Sequence, residues 1–130
     1  MDTGRLLEAA IAARENAYCP YSRFAVGAAL LCEDGSVAVG CNVENASFGA
    51  TICAERSALV AAVSQGKKRF LALAIVGGAL GEAAQKITPC GMCLQVLAEL
   101  CEATMPVVTL DGSTPTAQTL GELFPSPFRL

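Results

Sequence analysis

Two short cysteine clusters constrain this chain more than any other feature. Cys90-Gly91-Met92-Cys93 follows Pro89 and leads into an apolar run, and Cys53-Ala54-Glu55 follows a loop of small polar residues. Both stand where hydrophobic spacing predicts a helix to begin. Thiols at i and i+3 on a first helical turn converge on one point. Gly91 relieves crowding there, and Pro89 suits the start of a helix. The positive end of the helix dipole is expected to lower the pKa of both thiols. Residues i and i+2 point apart on a regular helix, so Cys53 shares a site with Glu55 only as the half-in residue at the helix start. The pattern puts it there. Two helix N-termini carrying thiols are thus expected to meet at one edge of a sheet.

The chain has seven cysteines and no histidine. Any metal must be held by thiolates or carboxylates, and any general base near neutral pH must be a tuned Glu, Asp, Lys, Tyr or Cys. Read alone, the Cys90/Cys93 pair suits a metal and a thiol redox couple equally. Adding Cys53 gives three thiols and one open position, the pattern of a catalytic zinc site. A closed structural site, with Cys41, Cys19 or Cys101 as fourth ligand, stays open on spacing alone. Glu55 also has a plain reading, because a first-turn Glu complements the helix dipole.

The remaining pattern gives a fold class. Thr3 to Ala17 reads as an amphipathic helix capped by Thr3 or Asp2, with Arg14 the one misfit on its apolar face. Val26 to Cys32 and Val37 to Cys41 flank Asp34-Gly35 and read as a hairpin. Asn42 to Ile52 is a loop, and Cys53 to Ser64 a helix stopped by Gly66. Leu71 to Val76 is a buried strand, and Gly77 to Lys86 a loop. Cys90 to Cys101 is a second buried helix, and Met105 to Leu110 a strand. A further strand is possible after Asp111-Gly112, and Leu120 to Leu123 is at most a short helix. This order predicts an α/β, three-layer sandwich with a mixed, roughly five-stranded sheet. With 130 residues, a single domain is expected over positions 1–130.

Composition excludes several functions. The net charge is −3 and the only basic cluster is Lys67-Lys68-Arg69, which reads as a solvated helix end. A nucleic acid partner needs an electropositive surface, so a small molecule is favoured. The longest apolar stretch, Phe70 to Gly81, is too short for the ~20 residues of a membrane span. Met1 to Arg5 lacks a secretory pattern, so a cytoplasmic location is expected, and seven cysteines in such a chain argue for metal or thiol chemistry over a disulfide frame. A hydrophobic fraction of 53% suggests an oligomer.

The motifs taken together resemble the zinc-dependent cytidine deaminase family, of the small homotetrameric, three-cysteine type. They run in order through Tyr18-Cys19-Pro20-Tyr21-Ser22-Arg23-Phe24, Val26-Gly27-Ala28-Ala29 and Gly40-Cys41-Asn42-Val43-Glu44-Asn45-Ala46. Cys53-Ala54-Glu55-Arg56, Pro89-Cys90-Gly91-Met92-Cys93 and the tail from Glu122 to Phe128 complete them. The resemblance implies hydrolytic deamination of free cytidine or deoxycytidine, part of pyrimidine salvage. It implies Zn2+ on Cys53, Cys90 and Cys93, and Glu55 moving the protons. It further implies that backbone near Ala54 contacts the base, Phe24 packs on it, and Asn42 and Glu44 hold the sugar hydroxyls. Phe128 is implied to complete a neighbouring subunit's site in a homotetramer with shared active sites, and Arg56 to offset the thiolate charge. Two positions depart from the family pattern, Leu94 where it has Arg and Phe48 where it often has Tyr. They leave room for a modified cytosine nucleoside of the blasticidin type. A non-catalytic zinc protein and a thiol redox protein are the readings from other classes.

Overall fold

The computed structural model describes residues 2–130. Five strands form one sheet in the order β2-β1-β3-β4-β5: β1 Phe24–Cys32, β2 Val37–Cys41, β3 Phe70–Ala79, β4 Pro106–Asp111 and β5 Thr114–Thr119. The β3–β4 pair is parallel and the other three are antiparallel, so the sheet is mixed as expected. Four α-helices accompany it: α1 Thr3–Arg14, α2 Ala54–Ser64, α3 Gly91–Leu100 and α4 Leu120–Leu123. A short 3-10 turn at Phe48–Ala50 interrupts the long loop after β2.

Alternation along the strands divides the core into two layers. Ala28, Leu30, Leu73 and Ile75 join Ala58 and Leu59 of α2 and Leu97 of α3 on one face. Ala29, Ala72, Ala74 and Val76 join Leu6, Leu7 and Ala10 of α1 on the other. The sandwich therefore has three layers. Two glycines let the helices close onto the sheet. A Cβ on Gly27 would lie 2.0 Å from the Ala10 carbonyl oxygen, and one on Gly40 would lie 2.4 Å from the Ala58 nitrogen.

Arg14, the misfit on the apolar face, turns out to be a brace. Its Nε donates to the Ala25 carbonyl at 2.9 Å, and its two terminal nitrogens donate to Glu82 and Ala79 at 3.1 and 3.0 Å. It ties α1 to the edge where β1 begins and β3 ends. The helix stops there, short of the expected Ala17: the Tyr18 amide is donated to Asn42 instead. Strand β3 runs past the expected Val76 through Gly77 and Gly78. Those glycines admit the 83–87 segment, which bridges Gly77 through Gln85. Helix α3 is buried on one side only, at Cys93, Leu97 and Ala98, because no layer covers its outer face among the described residues. Lys67 and Arg69 pair with Asp34 and Glu33 across the hairpin turn.

Register brings the functional segments to one edge. β1 is antiparallel to both neighbours, with Gly27 opposite Cys41 and Phe24 opposite Ala79. Its first residues therefore lie beside the last residues of β2 and β3, from which the chain leads to α2 and α3.

Candidate active site

Helix α2 begins with Cys53 as its N-cap at φ −76°, ψ 157°, and α3 begins with Cys90 at φ −67°, ψ 165°. Both are extended, half-in residues, and neither side chain caps its own helix. The thiols are thus free to point across the gap between the helices. Cys93 follows one turn into α3 and is wholly buried. The three sulfurs lie within 4.8 Å of one another, and those of Cys53 and Cys90 are 3.7 Å apart. Tetrahedral zinc with sulfur at about 2.3 Å separates its ligands by about 3.8 Å. The donor set fits that ion. Among the described residues, Cys19, Cys41 and Cys101 do not join this group, nor does any carboxylate. The set is therefore three-sided and open.

Thiols this close share charge unequally. Hydrogen bonds from Cys93, and then from Arg56 and Cys90, hold the Cys53 thiol down to about 5 against the cost of burial. Cys93 is pushed up, first by its bond to Cys53 and then by burial. The expectation that the helix dipole would depress both thiols of the Cys90-x-x-Cys93 pair is corrected for Cys93. The hydrogen bond that Cys93 gives to Cys53, together with its burial, outweighs a helix N-terminus worth about half a charge. Only a cation among them would let all three ionise. Arg56 supplies part of that charge from outside, with Nη2 3.7 Å from the Cys53 sulfur. Its Nε is buried and has no hydrogen-bond partner among the described residues.

Glu55, on the first turn of α2, is 5% exposed. Desolvation raises its carboxyl pKa, and the negative charge at Cys53 adds to that rise. Together with Cys53, Cys90 and the Ala54 backbone it lines a cleft of about 360 Å³. Phe24, Asn42 and Glu44 line the same cleft. Asn42 is locked between β1 and β2, accepting from the Val26 amide at 2.9 Å and donating to the Phe24 carbonyl at 2.8 Å. Glu44 accepts from the Tyr21 and Ser22 amides and from the Ser22 hydroxyl, and these bonds lower its pKa. Phe128 does not line this cleft. Its ring is 68% exposed, while Gln95 Nε2 holds its carbonyl at 3.0 Å.

Several lining residues had no role assigned from sequence: Ser22, Val26, Thr51, Ile52, Ile87 and Thr88. Ser22 and Val26 lay in quoted motifs, Val26 on β1. The others reach the cleft through loop geometry, which carries no periodic signal.

A buried acid beside an open three-thiol metal site, at the starts of two helices on one face of a mixed sheet, defines a metal-dependent hydrolytic site. Comparison with known proteins gives the family. Residues 2–109 match the model for the cytidine and deoxycytidylate deaminase zinc-binding region. A cytidine deaminase of Halalkalibacterium halodurans is 49% identical over 98% of this chain and 95% of its own length. One from Mycobacterium tuberculosis is 44% identical over 100% and 92%. The crystal structure of a cytidine deaminase from Burkholderia pseudomallei superposes with a TM-score of 0.88 at 48% identity, covering 98% of this chain and all of that one. This chain belongs to the cytidine and deoxycytidylate deaminase family.

Proposed function

We propose that the protein is a zinc-dependent cytidine deaminase, hydrolysing the exocyclic C–N bond of free cytidine or deoxycytidine to give the uracil nucleoside and ammonia. The carrying observation is a buried Glu55 lining one cleft with Cys53 and Cys90. Cys53, Cys90 and Cys93 hold the metal. Zinc, when bound, supplies the Lewis acidity that makes water a nucleophile near neutral pH. Glu55 takes one proton from the attacking water and passes it to the ring nitrogen, then takes the remaining proton from the hydroxyl added at C4 and delivers it to the amine as C4–N breaks and the C4 carbonyl forms. Burial raises its pKa, the direction that suits a carboxyl that must both accept and give protons. Ala54 lends its backbone at the base, and Phe24 lends an apolar wall. Asn42 and Glu44 face the sugar.

The cleft favours an uncharged nucleoside over a nucleotide. Its only charged lining residues are Glu44 and Glu55, and no Lys or Arg stands in it to meet a phosphate. The same feature speaks against deoxycytidylate, the other substrate class in the family's name.

A homotetramer with shared active sites is the proposed assembly. The exposed Phe128, outside its own chain's cleft, supports it. The single cytidine deaminase-like domain spans 1–130 and works in the cytoplasm, in pyrimidine salvage. In support, no helix of the described residues is long and apolar enough to cross a membrane, and all seven cysteines are free.

The test is ultraviolet absorbance of purified protein with cytidine, deoxycytidine, a blasticidin-type nucleoside and cytidine monophosphate in parallel, beside metal analysis. Turnover of the first two, with about one zinc per chain, is expected. Turnover confined to the antibiotic would transfer the reading to the modified nucleoside. A zinc-loaded protein that turns over nothing would favour the non-catalytic reading.

A further inference from the structure

The Tyr21–Phe24 turn holds an arrangement the reaction itself does not require. A carboxylate offers about four acceptor positions. On Glu44, Oε1 accepts from the Tyr21 amide at 2.9 Å and from the Ser22 amide at 3.1 Å. Oε2 accepts from the Ser22 hydroxyl. One position remains, on Oε2. The Ser22 oxygen in turn accepts from the Phe24 amide at 3.0 Å. A hydroxyl that receives an N–H on one side aims its own single proton elsewhere, and here that proton is on Glu44.

The turn is shaped for this. Arg23 sits at φ 56°, a left-handed conformation that non-glycine residues seldom adopt. It is held there from both sides: its amide donates to Cys19 at 2.9 Å, and its carbonyl accepts from Leu80 at 2.7 Å. Sparsely populated backbone persists where the surroundings over-determine it, often at ligand clamps. Ser22 and Glu44 both line the cleft. With the Tyr21 and Ser22 amides and the Ser22 hydroxyl all committed to Glu44, this pair shows the cleft an acceptor.

We propose that Ser22 is a positioning residue that orients Glu44 as a single-vacancy acceptor, so that the cleft selects a sugar bearing a donating hydroxyl at that point. The proposal rests on the nucleoside reading above. Ser22 acts only through Glu44. Removing its hydroxyl opens a second position on Oε2, leaves the Phe24 amide without its acceptor, and frees the carboxylate to rotate. Binding of the sugar suffers while the distant proton transfers do not.

The experiment measures kcat and KM for cytidine and for 2′,3′-dideoxycytidine, which lacks both sugar hydroxyls. The proteins are the wild type, Ser22→Ala and Ser22→Thr, with thermal melts to show folding. Ser22→Ala is expected to raise KM for cytidine about tenfold, the worth of one charge-assisted hydrogen bond, with kcat within about twofold. It should leave KM for the dideoxy compound unchanged, and Ser22→Thr should restore cytidine binding. An equal KM rise on both nucleosides, or no rise in a folded variant, would overturn the proposal. The wild type alone gives a second reading should Ser22→Ala not fold. Dideoxycytidine should bind about tenfold more weakly than cytidine, and equal KM values would overturn the proposal. A wild type that deaminates neither compound instead overturns the functional reading.

Discussion

Two glutamates line one cleft and are treated in opposite ways. Glu55 is buried against the thiols, and desolvation raises its pKa. Glu44 is half-buried beside the Tyr21–Ser22 turn, and three donors lower its pKa. The first is held closer to its protonated form than an ordinary carboxylate. The second stays ionised and is fixed in direction. A group that moves protons and a group that holds a ligand need opposite environments, and the fold supplies both from neighbouring segments.

Breaking the buried member has the largest expected effect. Glu55→Gln keeps the shape and removes the proton carrier, so kcat should fall by roughly 10²- to 10⁴-fold with metal content and melting temperature near wild type. Turnover within a few-fold of wild type would show that some other group moves the protons.

Arg56→Gln comes next. Three thiolates on zinc would leave a net negative centre, and on the proposed reading Arg56 offsets it through its contact with Cys53. The loss of one charged hydrogen bond of about 1.5–3 kcal/mol corresponds to a rate cost on the order of 10- to 150-fold. The acidic limb of the pH–rate profile should move upward. Leu94→Arg added to that variant should return part of the activity, and an unmoved profile would show that the charge is balanced elsewhere.

The hydrogen-bonded member is tested by acid. Its pKa is lowered in the folded protein, so the bonds it makes stabilise the turn fully above the ordinary value of 4.5 and are lost as pH falls through the lower folded value. KM for cytidine should therefore hold steady from neutrality to about pH 5, while kcat, which the proposed mechanism ties to Glu55, declines first. A KM that rises with the same midpoint as the fall in kcat would erase the contrast between the two carboxylates.

A change remote from both should touch neither. Arg14→Leu removes three hydrogen bonds to backbone carbonyls and strands those acceptors. We expect a stability loss of about 2–4 kcal/mol by denaturant titration, and kcat and KM unchanged below the transition.

Much of this contrast was legible in the sequence, unevenly. The thiol clusters and Glu55 announced themselves because helix starts have a spacing signature, and Cys53 had to be the half-in residue for Glu55 to join it. The strand and helix order followed from periodicity and from Asp34-Gly35. Gly77 and Gly78 misled, since glycine inside a strand looks like an ending until the segment it admits is known. Arg14 looked like an error on an apolar face because its carbonyl partners lie 11, 65 and 68 residues away. Ser22 was visible as a letter in a motif, but its role depends on a turn closed by Leu80 and on a carboxylate 22 residues on. Long-range hydrogen bonding leaves no local pattern.

The central claim is the division of labour between the two carboxylates, and one side-by-side measurement bears on it most directly. Steady-state kinetics of Glu55→Gln and Glu44→Gln on cytidine, in zinc-loaded protein, separate the two roles. The account predicts that Glu55→Gln loses kcat with KM nearly held, and that Glu44→Gln raises KM about tenfold or more with kcat nearly held. The same pattern in both variants, or the two patterns exchanged, would contradict it.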